Sequence, residues 1–246
     1  MTAPSLQDPG PTEDARVRAW RIPLAWTSGI VVGADVVFLL LIATIVPPLV
    51  AAAALTLVGL LLLRRRPRAA AGVIGATMLV TLALGAPFAL PHLAHPASAV
   101  DFVHASLSTA GRLLAALTAA GLWWGASTVA ARRLTATAVG LAAMMTVVAG
   151  VATVTAGSEV AQPDDVVVPV AASRFPEIVT VVSGGSLYLD NTDLFRHTFT
   201  VPDTDLDAEL PAGVAVRVAI DLAPGRYPVI CDVPGHELMT ATLEVR

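Results

Sequence analysis

Apolar residues follow two rhythms along this chain. Between residues 24 and 156 they form long, nearly unbroken runs, whereas beyond about residue 166 they come in short runs separated by turn residues. The long runs fall at 24–46, 48–63, 69–91, 107–130 and 134–156. A helix that crosses the hydrocarbon core of a bilayer needs about 20 apolar residues, with a lower limit near 17. The pattern therefore predicts a helical bundle of about five transmembrane helices, the second close to the short limit. Pro47-Pro48 separates the first two runs, because proline cannot continue a helix without losing hydrogen bonds. One kinked segment or a re-entrant pair is the alternative there, and it requires protein cover for its irregular backbone.

The second rhythm predicts strands. Val166–Val170, Ile178–Val182, the stretch around Leu187 and Leu189, His197–Val201, Tyr227–Cys231 and Thr240–Val245 are short and β-rich. The run 214–222 is the clearest: Val214, Val216, Val218, Ile220 and Leu222 alternate with Ala215, Arg217, Ala219 and Asp221. A period of two gives a strand with one buried and one wet face. Gly184-Gly185 and Ala223-Pro224-Gly225 read as turns. Roughly seven such strands predict an antiparallel β sandwich.

Composition agrees with a membrane protein: 55% of residues are hydrophobic and only 14% are charged. The net charge of −4 gives no basic footprint for nucleic acid. Residues 1–22 are polar and proline-containing and read as a disordered cytoplasmic tail without a signal-peptide cleavage site. Residues 23–156 form the helical domain, 157–165 a polar linker and 166–246 the β domain. Arginine sets the orientation. Arg16, Arg18 and Arg21 precede the first run, Arg64, Arg65, Arg66 and Arg68 follow the second, and Arg132 and Arg133 follow the fourth. All three clusters lie on one side only with five crossings and a cytoplasmic N-terminus, which puts the β domain outside the cell membrane.

Two charges interrupt the runs, Asp35 in the first and Arg112 near the outer end of the fourth. The plainer expectation is that Arg112 snorkels outward while Asp35 faces the bundle interior; a pair between them is the alternative. His92, His95 and His104 fall on the outer side, where Pro91 and Pro96 bracket the first two in an ordinary loop; a metal or haem contact is the alternative.

The chemistry is concentrated late in the chain. The only cysteine opens Cys231-Asp-Val-Pro-Gly-His236-Glu-Leu-Met239, and a second histidine lies in Asn191-Thr-Asp-Leu-Phe-Arg-His197-Thr-Phe-Thr. A thiolate, two imidazoles and a thioether are the ligand set of an electron-transfer copper centre. Thiolate and thioether suit Cu(I) and imidazole suits Cu(II). A trigonal site with a weak axial ligand is a compromise in which little moves when the electron arrives. One loop supplies three of the ligands, and His197 pins that loop to the sandwich. The domain has about 80 residues, small enough for a bound metal to aid its stability.

These words resemble the plastocyanin and azurin family of cupredoxins, a Greek-key β sandwich. The resemblance rests on Asn191-Thr-Asp-x-x-x-His197-Thr-Phe and on Ala223-Pro-Gly-Arg-Tyr227-Pro-x-x-Cys231-x-x-Pro-Gly-His236, and covers one third of the chain. It implies His197, Cys231 and His236 as equatorial ligands of a type 1 copper ion and Met239 as the axial one. It also implies that the Thr198 N–H bonds the cysteine sulfur and that Asn191 braces the ligand loops. Only two residues separate His236 from Met239, fewer than the family's usual loops, so a core role for Met239 and an oxygen ligand from Glu237 stay open. The expectation is a membrane-anchored, non-enzymatic electron carrier exchanging electrons with unidentified redox partner proteins. Copper delivery, uptake or sensing is the alternative. An oxidase would need further clustered histidines, and the chain has five in all.

Overall fold

The computed structural model describes residues 12–246. Five helices precede eight strands: α1 (Glu13–Ile42), α2 (Pro47–Leu62), α3 (Pro67–Ala89), α4 (Ala99–Trp124) and α5 (Thr128–Thr155), with a short 3-10 turn, Pro91–Ala94, before α4. The strands are β1 (Val166–Val170), β2 (Ile178–Val181), β3 (Ser186–Asn191), β4 (His197–Thr200), β5 (Asp207–Leu210), β6 (Ala215–Ala219), β7 (Gly225–Ile230) and β8 (Thr240–Val245). The chain divides into two compact units. One holds the described residues up to Gly85 together with Leu107–Ala142, and the other holds Ala86–Ser106 with Ala143–Arg246.

Within the first unit, the polar tail expected over residues 1–22 is corrected from Glu13 onward; residues 1–11 lie outside the described residues. Thr12 caps α1 through its side chain, Glu13 and Asp14 occupy the positive end of the helix dipole, and Trp20 is buried. Capping and dipole terms make a polar first turn a good helix start. Trp20, Leu24 and Val31 of α1 join Ile74 and Met78 of α3 and Ala115, Ala119 and Leu122 of α4 in one core. Small residues let the backbones approach. A Cβ at Gly121 would stand 2.5 Å from the Trp20 ring, and one at Gly111 2.7 Å from Val31.

Among the described residues three helices, α1, α3 and α5, are long and apolar enough to cross a membrane. α2 is apolar but has only 16 residues. α4 is an unbroken helix of 26 residues but carries Asp101, His104, Ser108 and Arg112 among its apolar residues. The expectation that Arg112 snorkels outward is also corrected. Its Nη2 donates to Asp35 Oδ2 at 2.7 Å, with side chains 7% and 3% exposed. Ser108 donates to the other Asp35 oxygen, and Arg112 Nε donates to Thr81 Oγ1. A buried charge is tolerated only when paired and hydrogen-bonded, and this cluster meets both conditions.

In the second unit, β1-β3-β6 form one sheet and β2-β8-β7-β4-β5 the other. The all-antiparallel expectation is corrected: β1 runs parallel to β3, and β2 parallel to β8. The chain switches sheets between β1 and β2, so each early strand lies beside a later one running the same way. β5, unforeseen in the acidic stretch 203–209, is an edge strand that turns only Ala208 and Leu210 inward. Leu187, Leu189, Phe199, Leu210, Val229 and Leu243 fill the core between the sheets. Phe175 meets Phe199 edge to face at 5.4 Å.

Candidate metal centre

The pairing register decides which residues meet at the rim. Thr200 of β4 lies opposite Ile230 of antiparallel β7. Moving back along β4 to His197 and onward past β7 to Cys231 therefore leads to the same end of the sheet. Beyond Cys231 the chain makes a tight loop before β8. The Cys231 N–H donates to the Met239 carbonyl at 3.0 Å, the His236 N–H to Val233 at 2.9 Å, and the Met239 N–H to His236 at 2.8 Å. Gly235 has a φ of 97°, a left-handed conformation that favours glycine. These bonds hold His236 over Cys231.

Three donor atoms converge. The Nδ1 atoms of His197 and His236 are 3.1 Å apart, and Cys231 Sγ lies 4.0 Å from the first and 3.7 Å from the second. Donors about 2.0–2.3 Å from a shared ion stand about 3–4 Å apart, depending on the angle they subtend at it, so both spacing and donor chemistry fit a metal. Among the described His, Cys, Asp and Glu residues, these three form the one such group. Glu237 lies outside it, exposed, with its carboxylate accepting the Gly235 N–H. Met239 is buried within the sandwich core beside the loop.

The surroundings orient the donors. Asp193 Oδ2 is 2.9 Å from His197 Nε2. A carboxylate only accepts, so the proton sits on Nε2 and the Nδ1 lone pair faces the cluster. Burial works against the Asp193 charge, but the Ser173 N–H, His197 and the Ala172 N–H outweigh it and hold the carboxyl below the usual range. The Thr198 N–H donates to Cys231 Sγ at 3.4 Å, and Thr198 Oγ1 accepts the Asp232 N–H at 2.7 Å. Asn191 Nδ2 donates to the carbonyls of Phe195, Leu210 and Pro211, and its Oδ1 accepts the Asp193 N–H. The contacts expected of Thr198 and Asn191 are thus present. Asp193 was missed, although its i,i+4 spacing from His197 was a visible signal.

Burial pushes both imidazoles below their ordinary pKa, which keeps them neutral and able to donate lone pairs. Burial pushes the Cys231 thiol up; the Thr198 and Val233 N–H groups and the Arg196 charge oppose it. His92 is pushed down to about 4, first by burial and then by the charges of Arg196, His236, His104 and His95. His95 Nε2 stands 3.7 Å from Glu209 Oε1.

A β sandwich that gathers one thiol and two imidazoles at its rim belongs to the class of copper-carrying sandwiches. Residues 141–245 match the family model "Cupredoxin-like domain", and this part of the chain is a cupredoxin-like domain. His197, Cys231 and His236 are positioned for a type 1 copper ion. Among solved structures, the reduced Cu(I) form of an amicyanin variant is 20% identical, covering 36% of this chain and 87% of that one, with a TM-score of 0.31. A copper-containing nitrite reductase from Thermus scotoductus SA-01 is 24% identical over 37% of this chain and 24% of its own, with a TM-score of 0.29. No curated protein matches the chain.

Proposed function

We propose that this chain is a membrane-anchored blue copper protein that carries single electrons at the outer face of the membrane. His197, Cys231 and His236 would hold its copper, with Met239 as the weaker fourth ligand. The observation that carries the reading is the convergence of Nδ1, Nδ1 and Sγ within 4.0 Å of one another at the end of two adjoining strands. When bound, copper supplies the one-electron couple. The chain supplies a site that need not rearrange: Asp193 fixes one ring, Thr198 fixes the sulfur, and the Cys231–Met239 backbone bond closes the loop. Such preorganisation favours fast electron transfer, and in this reading the chain acts as a carrier.

In this reading α2 and α4 cross along with α1, α3 and α5 and the N-terminus is inside, because only then do the three arginine clusters share the cytoplasmic side. In this reading residues 23–156 are the membrane domain and 166–246 the copper domain, joined by 157–165. The test is to load the full chain in detergent with Cu(II) and record absorption and EPR for wild type, Cys231→Ser and Met239→Leu. Wild type gives an intense thiolate-to-copper band and reversible reduction, Cys231→Ser loses the band, and Met239→Leu shifts it. A colourless, readily exchanging site overturns the carrier reading in favour of copper delivery. An unchanged Met239→Leu spectrum removes the axial assignment.

A further inference from the structure

The second unit includes a segment that lies far from the sandwich in sequence, Ala86–Ser106, and it reaches the residue next to the first ligand. Asp101, in the first turn of α4, is buried, and its Oδ2 accepts the backbone N–H of Arg196 at 2.7 Å. Arg196 immediately precedes His197. The two N–H groups that flank this ligand along the chain are therefore both committed: that of Arg196 to the Asp101 carboxylate and that of Thr198 to Cys231 Sγ. Hydrogen bonds to a charged partner are about twice as strong as neutral ones, so the first anchor is a firm one. The Arg196 side chain, itself buried, turns to Glu209 at 2.5 Å on the neighbouring strand. Ser98 of the same segment also touches the sandwich, its Oγ accepting the N–H of Ala212, two residues beyond the register partner of His197, at 3.1 Å, but it bonds no residue adjoining a ligand in sequence.

We infer that Asp101 is a positioning residue for the copper ligand His197, so that the geometry of the copper centre depends on a carboxylate supplied by the helical part of the chain and not only on the cupredoxin sandwich. β4 starts at His197, so the residue before it helps to set the direction from which the backbone brings the ring to the rim, while Asp193 holds the ring's far nitrogen. Sheet pairing holds β4 from His197 onward; the Asp101 carboxylate holds the residue before it. The inference rests on the three-donor site proposed above. It predicts that a sandwich cut free of its helices carries a perturbed centre.

The experiment uses the full chain in detergent and compares Asp101→Ala, Asp101→Asn and Ser98→Ala. Copper is added, absorption and EPR are recorded, and the rate of Cu(I) release to a chelator is measured. Asp101→Ala is expected to change the copper hyperfine splitting and the ratio of the charge-transfer bands, and to release copper about tenfold faster, the scale of one lost charge-assisted hydrogen bond. Asp101→Asn retains an acceptor oxygen and restores the wild-type spectrum. Ser98→Ala removes a bond from the same segment and leaves the spectrum unchanged. Should Asp101→Ala fail to fold, Asp101→Glu keeps the charge, displaces the acceptor and shifts the spectrum. Wild-type behaviour in the folded Ala variant, or in Glu where Ala does not fold, overturns the inference, as does an equal shift in Ser98→Ala. A wild type without a blue band defeats the carrier reading alone, because chelator release still reports how His197 is placed.

Discussion

Asp193 and His197 are one helical turn apart in sequence spacing but form a loop-to-strand pair, Oδ2 to Nε2 at 2.9 Å, that decides which ring nitrogen is free. Carboxylates behind metal-binding histidines typically account for 10–100-fold in metal affinity. Asp193→Ala is therefore expected to weaken copper binding by roughly that factor, with Asp193→Asn closer to wild type because it can still accept. Chelator competition on the full chain measures this. Equal affinity in Asp193→Ala would show that packing alone orients the ring.

Thr198 serves the site twice, through its N–H to Cys231 Sγ and through its hydroxyl, which accepts the Asp232 N–H. Thr198→Val keeps the shape and the backbone donor but removes the acceptor of the Asp232 N–H. Asp232 is exposed, so water can take the acceptor's place and the loss is that of one net hydrogen bond, about 0.5–1.5 kcal/mol. Denaturant unfolding should show Thr198→Val destabilised on that scale and Thr198→Ser near wild type.

The Asp35–Arg112 pair is the polar junction of α1 and α4, with Thr81 of α3 adding a third helix. Breaking a buried pair by removing one partner costs about 3–5 kcal/mol, while replacing both by apolar residues is far less damaging. Asp35→Leu and Arg112→Leu should each lower the unfolding midpoint in detergent more than the double variant does. A double variant as unstable as the sum of the singles would mean that the two charges act separately.

Arg217 Nε lies 2.8 Å from the Asp165 carboxylate. Burial alone would raise this carboxyl, but the Gln162 N–H and Arg217 outweigh it and hold it below its ordinary range. A depressed folded pKa adds stability above the unfolded value of about 3.9 and loses it as pH falls through the folded value. The stability gap between wild type and Asp165→Asn should thus be constant near neutrality and close in acid. A gap that widens in acid would reverse the sign of the coupling.

The sequence by itself determined what depends on neighbours along the chain. Long apolar runs specify helices, and a period of two specifies strands. The spacing Cys231 to His236 forces two donors into one loop, because a Pro-Gly turn after a strand leaves few other paths. Tertiary structure decided what depends on residues far apart. The parallel pairing of β1 with β3 follows from a sheet switch that no local period encodes. Pairing of Asp35 with Arg112, over snorkelling, required knowing which faces of α1 and α4 meet. Asp101 reaches Arg196 across 95 positions, and a single polar residue in a helix's first turn carries no mark of its distant partner. Periodicity and turn chemistry are local energies written residue by residue. The choice of partner for a buried charge is made only when the chain folds back and one donor among many comes within reach.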